Sequence, residues 1–198
     1  MMDMKFLTTA YDDNDELTST CIKFSDISYV LPMMFVDILM KAYNEPVDNV
    51  VELGTRQGES SVALYSAVCH INKHREEKAT FTSVEIDKEQ FPPVRERLKK
   101  VGDLGYWKSI VGDSVKVTWT DPIDFLLIDT SHEEDQTLLE LLKWSPYIKP
   151  KGTIWLHDTQ SCCGVRRAAL KWLDSQPGDT WDWFEVPTYA GLGWLRRR

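Results

Sequence analysis

Acidic side chains stand at or just after the ends of five short apolar runs in this chain of 198 residues. They are Glu52, Glu85, Asp113, Asp129 and Asp158. A carboxylate can accept hydrogen bonds from ligand hydroxyls, hold a hard cation or take up a proton. A single acid in such a place can simply cap the next helix, but five at corresponding places indicate one shared site.

The first acid opens a motif with the pattern acid-x-Gly-x-x-x-Gly-x-Ser, from Glu52 to Ser60. An apolar run precedes it and a helical pattern follows, so Gly54 and Gly58 fall in a strand-to-helix turn. Glycine there allows a positive φ and lets backbone N–H groups approach a ligand. A dinucleotide fingerprint needs glycine at position 56, and a phosphate loop needs lysine at position 59. Neither is present, so the motif alone leaves a ligand site and a purely structural turn equally open.

Two histidines stand beside these acids. His132 follows Asp129 by three residues, and His157 directly precedes Asp158. Because a histidine exchanges its proton near neutral pH, His132 is our candidate for the base of a proton transfer, with packing as the alternative. For His157, orientation of Asp158, contact with a substrate and simple packing all stay open.

The elements that would position these residues alternate along the chain. Strands are predicted at residues 50–53, 81–87, 109–114, 123–129 and 153–156, and most are followed by apolar residues at helical spacing. Residues 183–186 and 192–195 predict an antiparallel hairpin, because Pro187 and Gly191 separate two apolar stretches. This order predicts an α/β fold with a mostly parallel sheet covered on both faces. Ligands bind at the carboxyl edge of such sheets, where the acids lie.

Composition restricts the partners. The net charge of −8 argues against general nucleic-acid affinity, and the basic run at residues 196–198 is predicted to be a solvated tail. We find neither a signal sequence nor a membrane-length apolar run, so we expect a cytoplasmic protein without membrane partners. The four cysteines lack the spacing of a zinc site or a disulfide framework.

The chain is predicted to hold one main domain, at residues 31–198. Residues 1–30 are polar and acidic without a clear period, and we expect them to be a flexible segment or a lid. Loops carry specificity in such folds, here within residues 1–30, 162–164 and 189–193. The identity of the substrate and the formation of a homo-oligomer are left open.

Four segments, taken in order, resemble the class I S-adenosylmethionine-dependent methyltransferases. They are residues 52–60, 84–87 and 112–114, and Ile128-Asp129 followed by Lys151-Gly152 and His157-Asp158. The resemblance covers residues 48 to about 196 and is nearest to small-molecule O-methyltransferases of the catechol and antibiotic-sugar (macrocin-type) groups. It implies a Rossmann-like fold with a seven-stranded sheet and an antiparallel C-terminal hairpin. The implied reaction is methylation of a hydroxyl on a small molecule, a sugar or an aromatic natural product.

The resemblance also implies which residues would bind the methionine and ribose parts of S-adenosylmethionine. Gly54 and Gly58 would shape the methionine pocket, Ser60 would bind the methionine carboxylate, and Glu52 would face the ammonium group. Glu85, at the end of the second strand, would hold the ribose.

The remaining roles concern the adenine and the reacting groups. By the same resemblance, Asp113 and Ser114 would meet the adenine. Asp129 and Asp158 correspond to the acids that hold magnesium in the metal-dependent members. His132 falls where the catechol enzymes place a basic catalytic residue.

Two positions depart from the family patterns. Thr159 stands where the catechol enzymes have an asparagine, and Ser131 where the sugar enzymes have an acid. A magnesium site here would therefore keep fewer protein ligands, with waters completing its octahedron. Two other functions stay open: a divergent, hydroxylase-like member of the same fold, and a protein that binds the nucleoside without turnover.

Overall fold

Seven strands and five α-helices follow one another in residues 31–198, the part of the chain that this computed structural model describes. The strands are β1 (Asn49–Leu53), β2 (Thr80–Glu85), β3 (Trp107–Val111), β4 (Ile123–Ile128), β5 (Ile148–His157), β6 (Trp181–Val186) and β7 (Leu192–Arg197). The helices are α1 (Leu31–Asn44), α2 (Glu59–Lys73), α3 (Phe91–Val101), α4 (Glu134–Trp144) and α5 (Cys163–Asp174). The predicted lid at residues 1–30 lies outside this part. No helix within residues 31–198 is long and apolar enough to cross a membrane.

The strands form one sheet in the order β3-β2-β1-β4-β5-β7-β6. The first five strands of this order run parallel, and β7 pairs antiparallel with both β5 and β6. The prediction of a mostly parallel seven-stranded sheet with an antiparallel C-terminal hairpin is confirmed. Since parallel strands start at one edge and end at the other, the residues after β1 to β5 meet at the carboxyl edge.

The central strands are apolar on both sides because helices cover both faces of the sheet. Phe125 and Leu127 of β4 pack in a cluster with α1, α2 and α3, whereas Leu126 and Ile128 pack in a second cluster with α4 and α5. Each of the four side chains is at most 3% exposed. Burial of each such side chain contributes roughly 1.5–3 kcal/mol to folding, so β4 anchors both layers.

One boundary differs from its prediction at the start of β5. This strand is predicted to begin at residue 153 but begins at Ile148, so the turn-like sequence Lys149-Pro150-Lys151-Gly152 lies inside it. Ile123 pairs with Ile148, but the next partners are Phe125 and Thr153. The extra residues form an irregularity in which Lys151 adopts a φ of 61°, so a turn-like sequence is accommodated within a strand.

The basic C-terminal run is exposed to solvent, as predicted, but it is not a tail, because β7 extends to Arg197. Arg196 lies in β7, and its Nη2 is 3.2 Å from an Asp37 oxygen on α1. Arg198 pairs with Asp182 on β6 and lies 3.3 Å from Asp179. The acids that partner these arginines are distant in sequence, and the pairing of β6 with β7 and the position of α1 beside the sheet bring them together.

Candidate active site

A cavity of about 980 Å³ opens at the carboxyl edge of the parallel strands, near the upper end of the roughly 300–1,000 Å³ typical of ligand pockets. Its walls contain most of the residues singled out in the sequence: Gly54, Ser60, Glu85, Asp113, Ser114, Asp129, His132 and Asp158. Glu52 and Gly58 are not in the wall. The strand ends therefore meet as predicted, with two motif residues placed behind the surface.

The fold itself requires both glycines of the motif. Gly54 and Gly58 each have a φ of +84°, a conformation that residues with a side chain rarely adopt. A Cβ on Gly54 would lie 2.1 Å from the carbonyl oxygen of Asp129, and one on Gly58 would lie 3.0 Å from Val94. The first glycine lets the turn after β1 press against the end of β4, and the second lets α2 approach α3.

Glu52 is fully buried beneath the cavity wall and binds other residues of the motif. Its carboxylate accepts hydrogen bonds from Ser60 and Ser61, each at 2.6 Å, and from Ser83 on β2 at 3.2 Å. Burial raises the pKa of Glu52 to about 7, because the cost of desolvating the charge exceeds what the three hydroxyls return. The Ser60 hydroxyl, predicted to face a ligand carboxylate, thus already donates to an internal acid.

Glu85 connects the end of β2 to the glycine turn. Its Oε2 accepts hydrogen bonds from the Thr55 N–H at 2.9 Å and the Arg56 N–H at 3.3 Å. Among residues 31–198, its Oε1 accepts a hydrogen bond only from the Asp87 N–H, at 3.0 Å. Since a carboxylate oxygen can accept two hydrogen bonds, Oε1 keeps capacity for a hydroxyl in the cavity. Asp87 caps the short 3-10 helix that follows by accepting a hydrogen bond from the Glu89 N–H.

Asp113 and Ser114 follow β3 and meet helix α4. Ser114 donates to Glu140 and accepts from the Gln136 amide at 3.1 Å, while Asp113 pairs with Lys116 at 2.8 Å. Burial raises the pKa of Glu140. Sequence reasoning missed Glu140 and Gln136. They belong to no motif, and only their spacing of one helical turn on α4 hinted at a common face.

Two acids and two histidines lie together at the ends of β4 and β5. The Nε2 atom of His132 lies 3.0 Å from Asp129 Oδ1 and 3.1 Å from Asp158 Oδ2. The Nδ1 atom of His157 lies 3.0 Å from Asp158 Oδ2 and 3.4 Å from Asp129 Oδ1. We call these four residues the Asp–His cluster. His157 belongs to it although the sequence favoured no role for that residue.

The backbone that presents this cluster is strained at two places. His132 and Asp158 both have a φ of 61° although neither is glycine. Such a conformation costs on the order of 1–3 kcal/mol and is found mainly where a site depends on it. The strain falls on two of the three cluster residues that lie just outside regular elements, Asp129 being the third.

The cluster shifts the pKa of each member in a consistent direction. Burial alone would raise the pKa of Asp129, but hydrogen bonds from His132 and His157 outweigh it and hold the pKa well below its ordinary range. Burial would likewise lower the pKa of His157, yet its bonds to both acids raise that pKa to about 10. The hydrogen bond to Asp129 raises the pKa of His132. The acids are thus charged at neutral pH, and the histidines hold protons more tightly than usual.

Two buried polar atoms near this edge have no hydrogen-bond partner among residues 31–198. They are Nε2 of His157 and Oγ1 of Thr159. Thr159 is 1% exposed and is not in the cavity wall, whereas Ser131 is. The position that departs from the catechol pattern therefore contributes no side chain to the site.

A family model described as a methyltransferase domain matches residues 51–159. No protein of curated function matches the chain by sequence. Among solved structures, the methyltransferase PaMTH1 of Podospora anserina, bound to S-adenosylhomocysteine, has a TM-score of 0.67 at 16% identity, covering 100% of this chain and 89% of its own.

Two O-methyltransferases are similar to a comparable degree. TomG of Streptomyces achromogenes, involved in tomaymycin synthesis and solved with S-adenosylmethionine, has a TM-score of 0.64 at 17% identity, over 99% of this chain and 91% of its own. An enzyme of Bacillus cereus, solved with S-adenosylhomocysteine, has a TM-score of 0.64 at 14% identity, over 100% and 93%. At such identities the likeness shows a shared fold.

Proposed function

We propose that this chain, which belongs to the methyltransferase domain family, is a class I enzyme that methylates a hydroxyl of a small molecule. The donor is S-adenosylmethionine. The proposal rests on one observation: Glu85 and the Asp–His cluster line the same cavity, Glu85 at one end and the cluster at the other. A nucleoside and a hydroxyl acceptor can therefore occupy the two ends of one pocket.

The first end suits S-adenosylmethionine, which supplies a strongly activated methyl group on a positively charged sulfur when bound. We assign Glu85 to the ribose hydroxyls, because its Oε1 has spare acceptor capacity. Asp113 and Ser114 are assigned to the adenine, and Ser60 to the methionine part, since all three line the cavity. Glu52 acts on this end only through the serine that it holds.

At the second end, Asp129 and His132 are assigned to the proton transfer. The Nε2 atom of His132 faces the acids, so Nδ1 is the nitrogen left to accept the proton of the acceptor hydroxyl. As the proton leaves, the acceptor oxygen bonds to the methyl carbon and the carbon–sulfur bond breaks. The products are a methyl ether and S-adenosylhomocysteine. Alignment supplies roughly 7–11 kcal/mol of the barrier, and a positioned base about 10²- to 10⁴-fold in rate.

The proposal of a sugar or aromatic acceptor is supported by the wall beside the cluster. Tyr189, in the loop before β7, lines the cavity and is 87% exposed. Ala190 and Ser161 lie on the same side. An exposed ring next to small residues offers a flat surface on which a sugar or an aromatic ring can stack.

Magnesium, the second cofactor implied by the resemblance, fits the donor set poorly. Mg²⁺ prefers an octahedral shell of oxygen ligands. Asp129 Oδ1 and Asp158 Oδ2 each lie against two imidazole nitrogens, and Ser131 and Thr159 bring no further carboxylate or amide. Magnesium therefore stays a prediction from the resemblance, and no step is assigned to it.

The proposal is tested by binding and by product mass. Thermal stabilisation by S-adenosylmethionine and S-adenosylhomocysteine, but not by NAD, is expected, because a ligand of the folded state raises its stability. Incubation with hydroxylated sugars and phenols should give products heavier by one methylene unit. A product heavier by one oxygen would instead show the hydroxylase-like function. Unchanged affinity for S-adenosylhomocysteine in both Gly58→Ala and Glu85→Ala would refute the assignment of the first end.

A further inference from the structure

The imidazoles of the Asp–His cluster occupy the space between two carboxylates that a divalent cation would need. We propose that this edge operates without a bound divalent metal, and that His157 is a positioning residue that holds Asp129 and Asp158 in place of a cation. The inference rests on the proposed function for the reaction that the edge serves. Its geometric basis is independent of that reaction.

The first support is the way each imidazole bridges both acids. His132 places one nitrogen at 3.0 and 3.1 Å from the two carboxylates, and His157 places one at 3.0 and 3.4 Å. All four approaches use the same two oxygens, Asp129 Oδ1 and Asp158 Oδ2. A cation bound through these two oxygens would have to displace the histidines from them.

The second support is that His157 cannot easily move aside. It is the last residue of β5, and its backbone is paired with Leu192 of the antiparallel neighbour. Its side chain is 8% exposed. Side chains packed to this degree in a sheet have few alternative rotamers, so the imidazole is a fixed part of the edge.

The third support is the shortage of other ligands for a hard cation. The second oxygen of Asp158 accepts a hydrogen bond from Ser161. Two groups of possible ligand atoms lie within 4.8 Å of one another: Asp129, His157 and Asp158, which supply only two oxygens, and His132, Asp158 and Cys162, which include a thiol. A thiol suits zinc and not magnesium, so zinc is the metal that competes most directly with this proposal and belongs in its test.

Metal binding by the wild-type protein is the primary test. Protein treated with EDTA and dialysed is titrated with Mg²⁺, Mn²⁺ and Zn²⁺ by calorimetry, and Mn²⁺ is followed by electron paramagnetic resonance. No saturable binding of any of the three is expected. Stoichiometric binding of one of them that is lost in His157→Ala would make His157 a ligand and overturn the proposal. This readout does not depend on finding the acceptor, so it is separate from the test of the proposed function.

Substitution of His157 itself tests the positioning role. In His157→Asp a carboxylate oxygen replaces Nδ1, because both atoms are bonded to Cγ, and this variant is expected to gain Mn²⁺ binding. His157→Asn keeps an N–H donor on Cγ, and its kcat should stay within about tenfold of wild type, whereas His157→Ala should lose about 10²-fold. His74→Asn, at an exposed histidine outside the site, is the control for the substitution. Equal loss of kcat in the asparagine and alanine variants, with unchanged melting temperatures, would contradict the role.

Discussion

The two ends of the cavity use their acids differently. At the ends of β1 and β2, Glu52 and Glu85 bind the chain's own hydroxyls and backbone N–H groups. At the ends of β4 and β5, Asp129 and Asp158 bind imidazoles instead. The first pair therefore shapes a turn, and the second pair controls groups that exchange protons. Carboxylates at one sheet edge thus hold a backbone turn in one place and imidazoles in the other, which is why we propose binding for the first end and chemistry for the second.

The largest expected effect comes from Asp129→Asn, which removes the negative charge beside His132 and His157. The amide keeps the size of the side chain but loses the charge that orients the imidazole. We expect kcat to fall about 10²- to 10⁴-fold, with affinity for S-adenosylhomocysteine nearly unchanged. Single-turnover kinetics and calorimetry measure the two quantities, with Asp135→Asn on the exposed face of α4 as the control. A rate equal to wild type would remove Asp129 from the chemistry.

The next effect concerns the stability of the glycine turn. Gly54→Ala places a Cβ 2.1 Å from the Asp129 carbonyl oxygen in a residue with a φ of +84°. The overlap and the strained backbone are expected to cost about 3 kcal/mol or more in the free energy of unfolding. Gly178→Ala is the matched control, since a Cβ there meets no atom within 4 Å. Equal urea midpoints for the two variants would show that the turn does not depend on this contact.

The sequence predicted the sheet edge because buried parallel strands read as apolar runs and the acids follow them directly. It could not predict which acids face the cavity. Glu52 turns inward because Ser83, on a different strand, completes its hydrogen bonds. His157 was undecided for the same reason: its partner Asp129 lies on the neighbouring strand, and only the pairing of β4 with β5 brings them together.

A smaller effect, dependent on pH, distinguishes Glu52 from the acids of the Asp–His cluster. The pKa of Glu52 in the folded protein is about 7, above the ordinary 4.5, so the folded state binds the carboxyl proton of Glu52 more tightly than the unfolded state does. The resulting stability is fully present below pH 4.5 and is lost as the pH rises through 7. Glu52→Gln removes this titration, so the variant should gain on the order of 1–3 kcal/mol relative to wild type between about pH 5 and pH 8. Melting temperatures of the variant and the wild type are compared at each pH. A difference that stays constant over that range would contradict burial of a titrating carboxyl.

The smallest effect is expected at Glu85, where anchoring of the turn and binding of the ligand share one carboxylate. Glu85→Gln keeps one acceptor oxygen for the Thr55 and Arg56 N–H groups but loses the charge and the second acceptor. We expect affinity for S-adenosylhomocysteine to fall about fivefold, equivalent to roughly 1 kcal/mol, by calorimetry. The same loss is expected for 5′-methylthioadenosine, because the two ligands share the ribose. Glu89→Gln, on the exposed turn, is the control and should change neither affinity. If stability falls and both affinities hold, Glu85 only anchors the turn, and the two ends differ more sharply than proposed.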